Sequence, residues 1–427
     1  MTKRPEFNFT IAKPDWNIRF PEYEIITSQQ GIEVYTIYSD AYDLNYIEFV
    51  FENGRLSESK KLSSRICAHQ MLEGSKKQTQ KEIAEFFDYY GCNYQIISDM
   101  DFSLISLNVL DKFFEKVAHY LLEQIYSAEF PKAQLEKGKS SLYSQLQHQL
   151  TEPDFVSYRE LSASIFGNEN IYGYNTTEEL IKNIESSDLQ NYRKNNFTSD
   201  KLKVFYTGKR RSQSFWDELL SIVPGGNDLH VQYISEKNLP LKKHIAMENC
   251  AQVSLKMGKR LFEKTHDDYF DFYFLNTLLG DYFGSRLMSV IREEHGLCYD
   301  IHSTLDAQLK DGIFYISAEL NAEKVKKAIQ LIQSELQKIS SQVIDKNEME
   351  MVRNYLHGHI LRLIDGPYNS ILLLKILITE FEDVHAFEKL LQSIHYISDE
   401  RIRQLSKKYL NPDEMTIVTA GFDKIKN

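Results

Sequence analysis

An α+β chain built from two diverged copies of one unit is the fold class the sequence predicts, and three observations point to it. The 427 residues exceed what one compact core holds and suit two domains of roughly 200 residues each. A strand closed by a glycine recurs at an offset of 213 residues. A strand-then-helix pair recurs in the same order in each half.

The glycine-closed strands come from Asn196-Phe-Thr-Ser-Asp-Lys-Leu-Lys-Val-Phe-Tyr-Thr-Gly208 and Tyr409-Leu-Asn-Pro-Asp-Glu-Met-Thr-Ile-Val-Thr-Ala-Gly421. Each opens on a polar turn at Asp200 or Asp413. Each then alternates, Leu202, Val204 and Tyr206 against Met415, Ile417 and Thr419, as a strand does. Helical stretches, 188–194 and 399–408, precede them. The second pair joins strands 102–110 and 313–320 to helices 111–127 and 321–339. Apolar residues keep a helical period there, at Phe114, Val117, Leu121 and Ile125 and at Val325, Ala328, Ile329, Ile332 and Leu336. Two unrelated α/β segments would share this grammar; the matched order of elements favours duplication. The seam is expected between Gly208 and Met247, where Pro224-Gly-Gly-Asn227 signals a turn and 235–243 is charged and polar. The halves are then 1–222 and 240–427. Thr79-x-x-Glu82 predicts a capped helix with Ile83, Phe86, Phe87 and Tyr90 on one side, ended by Gly91. Thr176-x-x-Glu179 predicts a second capping box.

Composition narrows the function. The 25 Phe and 26 Tyr exclude a disordered chain, because such residues bury area that disordered chains lack. A net charge of −11 argues against nucleic acid as a partner and is compatible with basic peptides. No run approaches the roughly 18 apolar residues of a membrane span. No apolar stretch follows the basic residues of Met1-Thr-Lys-Arg-Pro-Glu6, so no secretory signal is expected. Cys67, Cys92, Cys250 and Cys298 form no CxxC pair and are expected to be reduced core thiols of a cytoplasmic protein. His357-Gly-His359 is the one close histidine pair. Spacing of two sends its rings to different helix faces, and Glu348 and Glu350 lie well upstream, so a solvated helix surface is expected. Gly280 and Gly284 are too far apart for a phosphate-cradling turn.

The segments Gly74-Ser-Lys-Lys-Gln-Thr-Gln-Lys-Glu-Ile83 and Phe86-Phe-Asp-Tyr-Tyr-Gly91 resemble the insulinase/pitrilysin-type peptidases. These include the mitochondrial processing peptidase and the core proteins of respiratory complex III. The resemblance continues through Phe166-Gly-Asn, Asn175-Thr-Thr-Glu-Glu-Leu180 and Gly284-Ser-Arg-Leu287. It is most specific at Ile291-Arg-Glu-Glu-His-Gly-Leu-Cys-Tyr299, and it spans most of the chain from residue 32 to 421. It implies two homologous domains, each a mostly antiparallel sheet with helices packed on it.

Active members carry H-x-x-E-H on their first helix: two histidines on one face bind zinc and the glutamate activates water. Aligned through Gly74, those positions fall on Arg65, Ala68 and His69, and the distal zinc-binding glutamate falls on Gln145. Arg65 is a permanent cation, Ala68 deprotonates nothing, and Gln145 offers no anionic oxygen. His69 is a relic ligand or a plain polar helix residue. Neither H-x-x-E-H nor H-E-x-x-H occurs anywhere in the sequence, so this chain is expected to hold no zinc of its own.

Arg292 and Tyr299 match, in type and spacing, a family pair that reaches over the zinc site from the C-terminal half. There the Arg holds a substrate carbonyl and the Tyr hydroxyl donates to the oxygen that turns negative. A surface ion pair for Arg292 and a packed Tyr299 are the plain alternative. Some bacterial members work as two chains, one bringing zinc and its sister the Arg/Tyr pair, and this sequence resembles the sister. The glycine-rich substrate loop of other non-zinc subunits is not matched by Leu279-Gly-Asp-Tyr-Phe-Gly-Ser285. The resemblance implies a zinc-bearing homologous subunit, or a second copy of this chain, as partner. It also implies a peptide substrate added as a strand along 93–98. The rival readings are a scaffold of the core-protein type and a zinc peptidase whose site is unrecognised.

Overall fold

In the computed structural model of the protein, the described residues are 14–226, 233–235, 238–248 and 250–422. Asn227 of the expected seam turn, Glu236 and Lys237 of the polar stretch and the first six residues lie outside them. The first half runs β1 (Glu24–Thr27), β2 (Glu33–Tyr38), β3 (Leu44–Phe51), α1 (Ser63–Gln70), α2 (Gln80–Tyr90), β4 (Asn93–Ser98) and β5 (Ser103–Leu110). It continues with α3 (Phe114–Ser127), α4 (Lys132–Gln149), α5 (Pro153–Phe166), α6 (Glu178–Lys182), α7 (Ser186–Asn196), β6 (Leu202–Gly208) and α8 (Gln213–Leu220). The second half runs β7 (Lys242–Ala246), β8 (Val253–Leu261), α9 (Tyr269–Gly280), a π-helical stretch Met288–Glu294, β9 (Cys298–Ala307) and β10 (Gly312–Leu320). It closes with α10 (Val325–Ser341), α11 (Lys346–Leu363), α12 (Gly366–Thr379), α13 (Ala386–Tyr396), α14 (Asp399–Tyr409) and β11 (Thr416–Gly421).

The strands form two sheets, in the orders β1-β2-β6-β3-β5-β4 and β7-β11-β8-β10-β9. In both, the closing strand is parallel to one neighbour and antiparallel to the other: β6 between β2 and β3, β11 between β7 and β8. The expected equivalence of β6 and β11 therefore holds in topology as well as in sequence. The other expected pair holds too. β5 and β10 each pass through one 3₁₀ turn, Asp111–Phe113 or Ala322–Lys324, into α3 or α10. Thr79 accepts from the Glu82 amide while Glu82 accepts from the Thr79 amide, the reciprocal cap that starts α2. Gly91 ends it at φ +58, and Gly296 stands at the same φ after the π-helical stretch, a conformation in which a Cβ is strained.

The second capping box is corrected. Thr177, not Thr176, caps α6, accepting from the Leu180 amide. Arg159 Nη1 holds the Thr176 carbonyl at 2.9 Å, which keeps the chain extended one residue longer.

Each sheet is covered on one face by helices of its own half. The other face is covered by a helix from the other half. On the first sheet, Tyr35, Ile37, Tyr46, Val50 and Phe205 pack against Ile371 and Leu374 of α12. On the second, Ile313 and Val418 pack against Leu161, Ile165 and Phe166 of α5. Buried on both faces, the central strands read as near-continuous apolar runs (Leu44–Phe51 is one) in place of a clean alternation. The exchange is also electrostatic. Glu48 on β3 pairs with Lys375 of α12 at 2.9 Å, and Lys256 on β8 pairs with Asp154 of α5 at 2.5 Å. Glu48 stands opposite Phe205 and Lys256 opposite Val418. That is again the 213-residue offset, so one position carries opposite charges in the two sheets.

Candidate functional site

The first helix carries the positions aligned with the metal motif. α1 starts at Leu62, held at φ +72, a conformation rare for a non-glycine residue. Glu58 holds it there, accepting from the amides of Leu62 and Ser64 and from the hydroxyls of Ser64 and Tyr174. Arg55 stacks on the Tyr174 ring, 4.2 Å from its centroid, and donates to the carbonyls of Ile171 and Tyr174. α1 packs against β4, α4 and α7. It therefore lies beside the edge strand β4, which pairs only with β5 among the described strands.

His69 and Gln145, both exposed, line one cavity of about 240 Å³ with Ile66, Gln70, Gly138 and Lys139. Arg65 and Ala68 do not line it. Ala68 is buried in the core. Arg65 is half-buried, with no carboxylate partner among the described residues. Burial first, and the charge of Arg55 second, lower its pKa. Partial desolvation at the cavity wall and then the Arg65 charge lower the pKa of His69. A zinc ion does not fit this donor set. The cavity offers one imidazole and one neutral amide, with the Arg65 guanidinium acting on His69 from nearby, and no glutamate lines it among the described residues. Among the described residues no group of three His, Cys, Asp or Glu side chains is placed to hold a metal.

Two residues of this cavity lay outside any motif. The Gln70 side chain is buried with its Oε1 unpartnered. A Cβ on Gly138 would fall 2.3 Å from its Nε2. A glycine inside α4 was the signal that something closely approaches that helix.

Arg292 and Tyr299 stand in the other half. Arg292 lies in the last turn of the π-helical stretch, a geometry frequent at functional sites. Its guanidinium lies 5.0 Å from the Phe283 ring centroid and makes no ion pair among the described residues. Tyr299, second residue of the edge strand β9, is 84% exposed. Its hydroxyl meets no partner among the described residues. Cys298 precedes Tyr299 on β9 and lies within reach of the Arg292 charge. Burial, and secondarily Asp300, push that thiol up to about 11, while the Arg292 charge acts against them. No hydrogen bond or ring contact ties either residue to α1 or α4. The surface ion pair and the packed tyrosine of the plain alternative are both absent among the described residues.

Of the histidine pair, His359 lies on the partly exposed surface of α11 beside Arg362, as expected, and His357 differs. His357 Nε2 lies 2.8 Å from the Asp15 carbonyl, and its ring meets Trp16 edge-on. It ties the incoming chain to α11 while staying partly exposed. None of the four cysteines forms a disulfide, and only Cys67 is fully buried. No helix among the described residues is long and apolar enough to cross a membrane.

Residues 34–174 match the family described as insulinase (peptidase family M16), and residues 183–356 match its companion, the peptidase M16 inactive domain. A *Bacillus subtilis* protein named uncharacterized zinc protease YmxG is 23% identical over 71% of this chain and 74% of its own length. A *Helicobacter pylori* protein named non-peptidase homolog YmxG is 21% identical over 74% of each. Among solved structures, a peptidase M16 inactive domain protein from *Pseudomonas fluorescens* superposes with a TM-score of 0.87 at 18% identity, covering 95% of this chain and 99% of its own. A protease from *Helicobacter pylori* superposes with a TM-score of 0.84 at 13% identity, covering 94% of this chain and all of its own.

Proposed function

Since this chain belongs to the insulinase family of peptidases, M16, we propose that it is a member holding no catalytic zinc, whose Arg292 and Tyr299 complete the active site of a zinc-bearing homologous subunit. The observation that carries this is the unsatisfied state of the pair. Tyr299 stands on the open edge strand β9 and Arg292 in the helical stretch before it, and among the described residues neither makes a hydrogen bond or ion pair within this chain. Donors fixed in place before reaction stabilise charge that develops on a peptide carbonyl oxygen, and only interactions stronger in the transition state raise the rate. Arg292 would also position the substrate. The unsuitable donor set around His69 supports the first half of the proposal.

The test reconstitutes this chain with an H-x-x-E-H homologue from the same organism and follows peptide hydrolysis. Tyr299→Phe is expected to lower kcat about 10²–10³-fold with KM and melting temperature near wild type. Arg292→Ala is expected to raise KM as well. A wild-type rate from Tyr299→Phe sinks the proposal. Chelator-sensitive hydrolysis by this chain alone, lost on changing His69, favours the unrecognised zinc site. The *Helicobacter* relative's name, non-peptidase homolog, favours a second reading, a scaffold of the core-protein type. That reading expects neither substitution to alter any rate.

A further inference from the structure

Between α9 and the π-helical stretch the chain makes a tight turn, closed by the Ser285 amide donating to the Tyr282 carbonyl at 3.0 Å. Both flanks of this turn are held on α11. Tyr282 packs on Tyr355, with ring centroids 4.9 Å apart. Arg286 makes two bonds to the Glu348 carboxylate, at 2.6 and 2.8 Å. Gly284 gives the room this needs, since a Cβ there would fall 2.8 Å from the Tyr282 ring. Phe283, at the tip, points away from this packing and is 65% exposed.

What the Phe283 ring does cover is Arg292, whose guanidinium carbon lies over it, 5.0 Å from the centroid. The kind of contact matters. A carboxylate would fix the guanidinium, but it would occupy N–H groups and cancel the charge. An aromatic ring takes the flat face of a guanidinium and leaves the five N–H donors, which radiate in its plane, free for another acceptor. Among the described residues no carboxylate reaches Arg292, and none of its side-chain donors is used.

We infer that Phe283 is the positioning residue of Arg292: the ring, presented by a turn fixed to α11, holds the guanidinium in place with its donors available to a substrate carbonyl. A long side chain ordered only at the moment of binding loses rotamer freedom that the new contact must offset. The ring meets part of that cost before substrate arrives. An attraction of this class at an exposed site changes an equilibrium by about 2–5-fold. The inference rests on the role proposed for Arg292, yet the ring can order the guanidinium whether or not a partner chain uses it.

Two measurements on the full chain test it. The first is NMR relaxation of the Arg292 Nε–H group in the isolated chain, its resonance identified by its loss in Arg292→Lys. The order parameter is expected to fall in Phe283→Ala and Phe283→Leu and to be kept in Phe283→Trp, all at wild-type melting temperature. An order parameter unchanged by Phe283→Ala overturns the inference. The second uses the complex with the zinc-bearing homologue. Phe283→Ala and Phe283→Leu are expected to lower kcat/KM about 2–5-fold, chiefly through KM, while Phe283→Trp keeps the wild-type value. In an Arg292→Ala background the same substitutions are expected to change nothing further. An equal loss in that background shows the ring acting on substrate or fold directly and overturns the inference, as does a wild-type kcat/KM from Phe283→Leu. If Tyr299→Phe leaves the rate at wild type, the partner-site reading fails by itself, and the relaxation measurement alone then decides for Phe283.

Discussion

Asp101 sits in the turn before β5, where the first half touches the second. Its carboxylate accepts from the Tyr172 hydroxyl at 2.7 Å and from the Leu309 amide at 2.9 Å. Burial outweighs both bonds and, with Asp99 and Glu52 nearby, raises its pKa to about 6. The sign follows from linkage. A folded-state pKa above the unfolded value means the folded chain takes up this proton first, so the term is absent above pH 6 and grows as pH falls toward 4. The stability of wild type relative to Asp101→Asn, from urea unfolding, is therefore expected to rise by about 1 kcal/mol between pH 7.5 and 5. A difference that stays flat with pH removes Asp101 from the account. Nothing in the sequence marks this residue, because Leu309 lies more than two hundred residues away. Arg292 and Tyr299 were legible by contrast, since their spacing is local and their neighbours match a known pattern. Their lack of partners was not legible, because exposure is set by the whole fold.

At the scale of elements, what short-range chemistry dictates was readable and what tertiary contact dictates was not. Thr79, Glu82 and Gly91 mark both ends of α2 within thirteen residues, and the structure follows them. Thr176 and Thr177 offer two starts for α6, and a distant arginine chooses between them. That α5 and α12 trade sheets has no sequence signature at all, since both halves carry these helices in the same order. Of the two ion pairs in that exchange, Glu48–Lys375 is the one with both side chains mostly buried. Lys375→Met leaves Glu48 with the Tyr46 hydroxyl as its remaining partner. The loss is expected to be about 3 kcal/mol in urea unfolding at pH 7. Glu48→Met combined with Lys375→Met should recover most of it, because no charge is then left buried. A single variant within 0.5 kcal/mol of wild type, on the order of surface substitutions, would show that the pair contributes little.

For the whole molecule, the exchange means that neither half has a complete core. Separately expressed fragments 1–230 and 231–427 are expected to aggregate or to unfold without cooperativity. Co-expressed, they should copurify as a 1:1 complex with one thermal transition. Either fragment alone, monomeric and cooperatively unfolding, would show that the exchanged helices are dispensable.

The crossing of α12 also sets a clock on synthesis. All six strands of the first sheet have been made once Gly208 is added, yet the helix that covers their inner face ends at Thr379, about 170 residues later. At the usual 5–20 residues per second this interval is roughly 10–30 s. Throughout it Tyr35, Ile37, Tyr46, Val50 and Phe205 have no lid of their own. A ribosome-associated holdase has that long to find them, and so does another nascent chain on the same message.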